Sequence, residues 1–252
     1  ISKILKFDKK RSDKFIINFF KDKQLSEILD NSHYLNSNKN LNSILLKPRI
    51  HELFFLYSII KETKRLTALE LGSGYSSLII SLALYENSLS LEKNAKNIKK
   101  SNKFELFTVD NEKKYLENTK KRNVKIFKKL NIKPKINYLF SDSYTELYNG
   151  NIVHSYKKIP LCIPDFIYLD CPSKKVLGNV NNITFTHKDF PAMSADLLKI
   201  EYLLNTNTII VIDGRHHNVI YLKNNFQRKW KYHFVKYINK HIFILDEKPT
   251  GI

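Results

Sequence analysis

Residues 66–82 read LTALELGSGYSSLIISL and contain the three parts of a strand–turn–helix unit. The run Thr67–Leu71 is apolar and suits a buried strand, and the Gly-Ser-Gly at 72–74 suits a tight turn. Ser76 and Ser77 can then cap a helix whose apolar residues recur at helical spacing. Such a unit opens the doubly wound α/β domains, which bind ligands at the turn. The stretch therefore predicts an α/β fold with a ligand site beside the glycines.

The residues around this turn exclude two common nucleotide-binding loops. Ser77 occupies the position of the third glycine in G-x-G-x-x-G, and no Lys-Ser/Thr pair follows the glycines as it would in a P-loop. Glu70, which precedes the turn, would repel a pyrophosphate but can accept a hydrogen bond from an ammonium or hydroxyl group. These features favour a ligand with a positively charged amino-acid end over a dinucleotide.

Four more strand candidates follow, and each is succeeded by an acid. They alternate with helical patterns, as in a parallel sheet with helices on both faces. Parallel strands of such a sheet end at one edge, where ligands bind. Together with Glu70, five acids are therefore expected at that edge. The strands lie at 105–109, 135–140, 164–169 and 208–212, and the acids are Asp110, Asp142, Asp170 and Asp213.

The sequence E-L-G-S-G after a strand resembles motif I of the class I S-adenosylmethionine-dependent methyltransferases, and the resemblance extends over 66–245. The closing segments 231–237 and 241–245, joined at Asn239-Lys240, resemble the terminal hairpin of that family. The resemblance implies a doubly wound, Rossmann-like, mostly parallel sheet of seven strands in the order 3-2-1-4-5-7-6, with the last strand antiparallel. The segment YLDCPS at 168–173 is also similar to a subgroup of bacterial methyltransferases.

An N-terminal helical extension is predicted before this domain. Helical patterns occur at 14–20 and 24–30, and again after Pro48. We assign residues 1–63 to the extension and 64–252 to the Rossmann-like domain. The sequence leaves open whether the extension covers the substrate side of the domain or only packs against the sheet.

The resemblance implies S-adenosylmethionine as the cofactor, with its methionine end at the glycines, its ribose at the second acid and its adenine after the third strand. Glu92 competes with Asp110 for the ribose because it lies nearer the usual distance of ~20 residues from the glycines. Asp110 is preferred because a clearer strand precedes it and a clearer helix follows it. The predicted cofactor-binding residues are Glu70, Gly72, Ser73, Gly74, Tyr75, Ser76, Asp110, Asn111, Asp142 and Ser143.

Asp170 follows the fourth strand, where the family places its catalytic or metal-binding residue. In a metal-assisted O-methyltransferase, Asp170 and Asp213 would bind Mg²⁺ or another divalent cation, with Asn218 or His217 completing the shell. In a metal-free enzyme, Asp170, His216 or His217 would act as the general base. Both hypotheses stay open.

The sequence departs from the catechol-type O-methyltransferases at two positions. Those enzymes have an Asn directly after the second acid and a Lys three residues after the first. Here Gly214 follows Asp213, and Lys174, a further catalytic candidate, is four residues after Asp170. The insertion 172–194 is expected to select the acceptor, because long loops at the ligand edge often form such sites.

The net charge of +19 raises the alternative of an RNA or DNA methyltransferase. The excess is mostly lysine, whereas nucleic-acid readers rely on arginine forks. The loop D-C-P-S at 170–173 also lacks the aromatic residue that stacks a flipped base. We therefore favour O-methylation of a small molecule or glycan hydroxyl. A third hypothesis is an inactive relative that acts as a binding or scaffold protein.

The sequence also bears on where in the cell the protein is expected. No apolar run approaches the ~20 residues of a membrane-spanning helix, and no signal-peptide pattern is present. The two cysteines, Cys162 and Cys171, form neither a disulfide framework nor a zinc cluster. We expect a cytoplasmic protein. The oligomeric state, the acceptor and the completeness of the N-terminus stay open.

Overall fold

The computed structural model describes residues 10–31, 47–170, 179–180, 183–184 and 193–248. None of the helices in this part of the chain is both long and apolar enough to cross a bilayer. The helices are α1 (Asp13–Asp22), α2 (Ser26–Asp30), α3 (Ile50–Glu62), α4 (Tyr75–Ala95), α5 (Lys113–Lys129), α6 (Asp196–Ile200) and α7 (His216–Asn225), with 3₁₀ turns at Glu201–Leu203 and Lys236–Ile238. The strands are β1 (Thr67–Leu71), β2 (Glu105–Asp110), β3 (Lys135–Phe140), β4 (Ser143–Tyr148), β5 (Asn151–Tyr156), β6 (Phe166–Leu169), β7 (Asn179–Val180), β8 (Ile183–Thr184), β9 (Ile209–Ile212), β10 (Trp230–Val235) and β11 (Lys240–Leu245).

Seven of these strands form one sheet in the order β3-β2-β1-β6-β9-β11-β10. The strands β3, β2, β1, β6 and β9 pair in parallel, and β11 is antiparallel to both β9 and β10. Renumbered along the main sheet, this is the order 3-2-1-4-5-7-6 with an antiparallel seventh strand. The predicted fold class is confirmed.

The central strands are apolar because helices cover both faces of the sheet. All residues of β1, β6 and β9 are buried, as expected for parallel strands in an α/β layer structure. Side chains alternate between the faces, so Ala68 and Phe166 join the core on the side of α3 and α4. Leu69 and Ile167 join the core on the side of α6 and α7.

The N-terminal helices share the first of these cores. Ile16 and Phe20 of α1 and Leu56 of α3 lie in the same buried cluster as Ala68 of β1. The domain boundary at residue 64 stays a prediction, and the packing shows that the extension and the sheet bury their apolar side chains together.

Three local predictions differ from the structure. The helix after the glycines begins at Tyr75 with Gly74 as its N-cap, and the Ser77 hydroxyl accepts from the Gly74 amide at 3.1 Å. This helix continues to Ala95, whereas the Lys/Asn-rich sequence of residues 88–104 predicts a separate surface helix. Asn87 is buried within the continuous helix, and its side-chain amide donates to two backbone carbonyls. Lys240 is the first residue of β11, although it was assigned to a turn.

The hairpin β4–β5 was not predicted. Its turn is Asn149-Gly150, and both residues have positive φ, at 48° and 74°. Asn-Gly is a strong signal for a tight hairpin turn, because both residues tolerate this conformation. The signal was present in the sequence and was missed.

Gly72 lies at the edge of the sheet, at a position where a side chain would not fit. Its φ is +99°, and a Cβ built on it would lie 1.9 Å from the Asp170 carbonyl oxygen. We expect Gly72→Ala to lower the free energy of unfolding by about 3 kcal/mol or more, or to prevent folding, because clash adds to backbone strain. Urea denaturation measures this change.

Gly150→Ala is the matched control. Gly150 also has positive φ, at +74°, but a Cβ there would meet no atom within 4 Å. Backbone strain alone should cost about 1 kcal/mol. Equal losses in the two variants would contradict the steric argument.

Candidate functional site

The chain turns sharply where the ends of β1, β2 and β6 meet. The Gly72 amide donates to the Val109 carbonyl of β2 at 2.8 Å, and the Asp170 amide donates to the Leu71 carbonyl at 2.9 Å. We call residues 72–74 the glycine turn. The hydrogen bonds continue the pairing of β1 beyond its last residue, so the glycine turn lies directly on the carboxyl edge of the sheet.

Asp110 holds the glycine turn from the end of β2. One carboxylate oxygen accepts from the Ser73 amide at 2.8 Å and from the Ser73 hydroxyl at 2.7 Å. The other oxygen accepts from the Glu112 amide at 2.9 Å. Because a carboxylate has about four acceptor positions, Asp110 can also accept from a ligand hydroxyl. Its rival Glu92 is an exposed residue of α4.

Glu70 lies beneath the glycine turn and is completely buried. One oxygen accepts from the Ser77 hydroxyl, and the other has no hydrogen-bond partner in the described part of the chain. Burial raises the pKa of Glu70 to about 7, although the hydrogen bond from the Ser77 hydroxyl opposes the shift. These contacts support the start of α4, and the predicted contact of Glu70 with the cofactor stays a prediction.

The remaining predicted cofactor-binding residues lie on both sides of Asp110. The Asn111 side-chain amide donates to the Ser143 hydroxyl at 2.8 Å and thereby links the ends of β2 and β3. Asp142 has an exposed side chain, and its carboxylate lies 3.5 Å from the Lys157 ammonium. Tyr75 and Ser76 form the first turn of α4. The contacts bring Asn111 and Ser143 together, whereas the carboxylate of Asp142 points to the surface.

A buried lysine at the start of β11 contacts one acid that follows β9 and one acid of the N-terminal extension. The Lys240 side chain is 1% exposed, and its ammonium lies 2.9 Å from Glu52 of α3 and in an ion pair with Asp213. Burial alone would lower the pKa of Lys240, but Glu52 and Asp213 together raise it above its ordinary value. The lysine is therefore charged. The second oxygen of Glu52 accepts from Arg49 at 2.8 Å.

Asp170 and Asp213, here called the acid pair, have different proton affinities. Burial and the charge of Asp213 raise the pKa of Asp170 to about 6, although Lys240 and Arg215 oppose the shift. Burial also acts to raise the pKa of Asp213, but its contact with Lys240 lowers it below the ordinary value. Two neighbouring acids with opposite shifts suit different roles, one as a proton acceptor and one as a fixed charge.

The residues present do not fit a divalent cation at the acid pair. An ammonium group already contacts Asp213, and the Asn218 side-chain oxygen accepts from the Ser194 amide at 2.9 Å. His217 is exposed on α7. The described ranges contain no group of three His, Cys, Asp or Glu side chains arranged as metal ligands. The metal interpretation of Asp170 and Asp213 therefore has no complete ligand set here.

The histidines near the acid pair form an aromatic cluster. The exposed His216 ring lies 4.8 Å from the buried His241 ring and 5.6 Å from Phe234, measured between centroids. Burial, His216 and Lys240 lower the pKa of His241 to about 4, so this ring is neutral, and its Nδ1 lies 2.8 Å from the Tyr232 hydroxyl. The proposed base roles of His216 and His217 stay predictions. Lys174 and most of the insertion 172–194 lie outside the described residues.

Lys240 and Glu52 were missed by the sequence reasoning. For Lys240 a signal existed, because an antiparallel last strand begins at the edge where its parallel neighbours end. The register pairs His241 with Ile212 of β9, which places Lys240 beside Asp213. For Glu52 we find no local signal, since its partner is distant in the sequence.

No protein-family model and no curated protein matches the chain. Among solved structures, the S-adenosylhomocysteine-bound methyltransferase of Podospora anserina has a TM-score of 0.47 at 12% identity, over 95% of this chain and 98% of that one. The O-methyltransferase of Bacillus cereus in complex with S-adenosylhomocysteine has a TM-score of 0.46 at 13% identity, over 93% and 96%. A methyltransferase of Geobacter sulfurreducens has a TM-score of 0.45 at 10% identity, over 93% and 90%. At these values the similarities assign neither a cofactor nor a substrate to this chain.

The buried Glu70 predicts a specific pH dependence of stability. Its pKa rises from the ordinary 4.5 to about 7 on folding, so the folded state holds this proton more tightly. The stability that it contributes is present below about pH 4.5 and is lost as the pH rises through 7. The free energy of unfolding of Glu70→Gln minus that of wild type should grow by about 3 kcal/mol between pH 4.5 and pH 8.

Denaturant unfolding at several pH values gives this difference directly. The same substitution at the exposed Glu92 of α4 is the control and should change the free energy of unfolding by less than about 0.5 kcal/mol, as is usual for a surface substitution. A constant difference for Glu70→Gln would show that the carboxyl is not buried as described.

Proposed function

We propose that the protein is an S-adenosylmethionine-dependent methyltransferase that methylates a hydroxyl group of a small molecule or a glycan. The observation that carries the proposal is the arrangement at one sheet edge. A glycine turn held by Asp110 lies at the ends of β1 and β2, and the unequal acid pair lies at the ends of β6 and β9. Cofactor and acceptor would therefore bind side by side.

The residues near the glycine turn fit the cofactor. The N-terminus of α4 offers backbone N–H groups and a partial positive charge to the methionine carboxylate. A Cβ built on Gly74 would meet only the Ser76 hydroxyl, at 3.6 Å, so a ligand can approach this backbone closely. Asp110 can accept from ribose hydroxyls, and Asn111 with Ser143 would lie towards the adenine.

Methyl transfer to a hydroxyl group would leave two tasks to the protein. S-adenosylmethionine, when bound, supplies a methyl group that its positively charged sulfur already activates. The chain has to orient the acceptor oxygen in line with that methyl group and to remove the hydroxyl proton. Asp170 suits the second task, because a carboxylate with a pKa of about 6 is a stronger base than an ordinary aspartate and is still mostly ionised at neutral pH.

The charge distribution supports a hydroxyl acceptor over a nucleic acid. The chain carries a net charge of +19, which keeps an RNA or DNA acceptor as the alternative. However, an acid lies at or just beyond the carboxyl end of each of the strands β1, β2, β3, β6 and β9, and carboxylates at the acceptor side would repel a phosphate backbone. Binding of a nucleic acid would weaken steeply with added salt, which distinguishes the two classes of acceptor.

Cofactor binding is tested by thermal unfolding with S-adenosylhomocysteine, with NAD and ATP as control ligands. At 100 times the dissociation constant the ligand should add about 2.7 kcal/mol, or about 5 to 10 °C in Tm. Asp110→Ala should weaken binding at least about tenfold, because hydrogen bonds to a charged group are lost. Glu92→Ala should leave it unchanged. The absence of a shift in folded wild-type protein would contradict the proposal.

Turnover is tested on a panel of sugar and phenol acceptors by detecting released S-adenosylhomocysteine. Asp170→Asn should keep cofactor binding and lower kcat by about 10² to 10⁴, the usual effect of losing a general base. Asp246→Asn is the control, since this acid follows β11, pairs with Lys231 and lies at the opposite edge of the sheet. Full turnover in Asp170→Asn would show that another group is the base. Cofactor binding without turnover on any acceptor would favour the scaffold hypothesis.

A further inference from the structure

Lys240 is a charged side chain in a buried position, where an unpaired charge would destabilise the fold. It is among the largest fully buried side chains of the described residues. An isolated buried ammonium group costs several kcal/mol, and a well-packed apolar side chain is often at least as stable as a buried ion pair. Packing alone therefore does not explain a lysine at the first position of β11.

The surroundings of Lys240 explain the charge. Its ammonium contacts the carboxylates of Glu52 and Asp213, which come from α3 and the end of β9. Asp170 lies beside Asp213, because the preceding residues Leu169 and Ile212 pair between β6 and β9. Two carboxylates from two elements thus contact one cation, and a third carboxylate lies beside them. Hard carboxylate oxygens in such a cluster are also the ligands that divalent cations prefer.

We infer that the ammonium group of Lys240 is a built-in replacement for a divalent cation, so that the acid pair operates without a metal ion. The inference rests on the proposed function, because it states how the charge of the acid pair is balanced at the same site. The direction of β11 makes this possible, since an antiparallel strand brings its first residue to the edge where β9 ends. Glu52 of α3 and Arg49, the residue before α3, complete the cluster.

The test measures binding of Mn²⁺ alone, by electron paramagnetic resonance of the free ion, and needs neither cofactor nor acceptor. Wild-type protein should show no saturable site that depends on Asp213. Lys240→Gln removes the charge, shortens the side chain by one heavy atom and adds an amide oxygen that can bind a metal ion. We expect this variant to gain one Mn²⁺ site per chain, at least about tenfold tighter than any binding to wild type. Adding Asp213→Asn should remove that site.

Lys231→Gln is the matched control, because Lys231 also pairs with an aspartate, Asp246, at 2.7 Å, but is exposed. It should gain no site. If Lys240→Gln folds poorly by circular dichroism, Lys240→Ala provides a second variant with the same expectation. A wild-type site that Asp213→Asn removes would overturn the inference, as would folded Lys240 variants that bind no Mn²⁺. The thermal shift with S-adenosylhomocysteine, measured in the same variants, reports separately on the proposed function.

Discussion

The structure depends on how negative charge is compensated at one edge of the sheet. Parallel strands that each end in an acid bring carboxylates together, and unpaired buried carboxylates would destabilise the fold by several kcal/mol. The acids at this edge are stabilised in different ways. Asp110 accepts three hydrogen bonds, Asp213 pairs with the ammonium of Lys240, and Glu70 and Asp170 bind protons more tightly than usual. These different contacts divide the edge into a glycine turn and an acid pair.

The division has a chemical consequence. Asp213 stays ionised because a cation contacts it, whereas the charge of Asp213 raises the pKa of Asp170. Acids in such unequal surroundings are a general way to obtain a base and a fixed charge from the same residue type. Lys240 contributes to this inequality through its contact with Asp213, and it does so from a strand that carries no acid of its own at that edge.

The N-terminal extension takes part in both structure and site. Most of α3 packs against α4 and the sheet, which matches the interpretation of simple packing. Its first turn also places Glu52 on Lys240, so the extension reaches the edge where the acid pair lies. The two interpretations that the sequence left open are therefore not exclusive. A helix can bury one face in the core and still present a terminal side chain to a site.

The sequence by itself determined the strands of the seven-stranded sheet, their order along the chain and the acids at their ends, because hydrophobic periodicity, apolar runs and glycine turns are local properties of the chain. The Asn149-Gly150 turn belongs to the same class, although it was overlooked. Only the tertiary structure decided which carboxylates are stabilised by a cation or by hydrogen bonds, and which residues provide these contacts. The contact of Glu52 with Lys240 depends on packing between distant segments. The contact of Lys240 with Asp213 depends on the direction and register of β11. The pKa of Glu70 likewise depends on burial, which arises only when the helices cover the sheet.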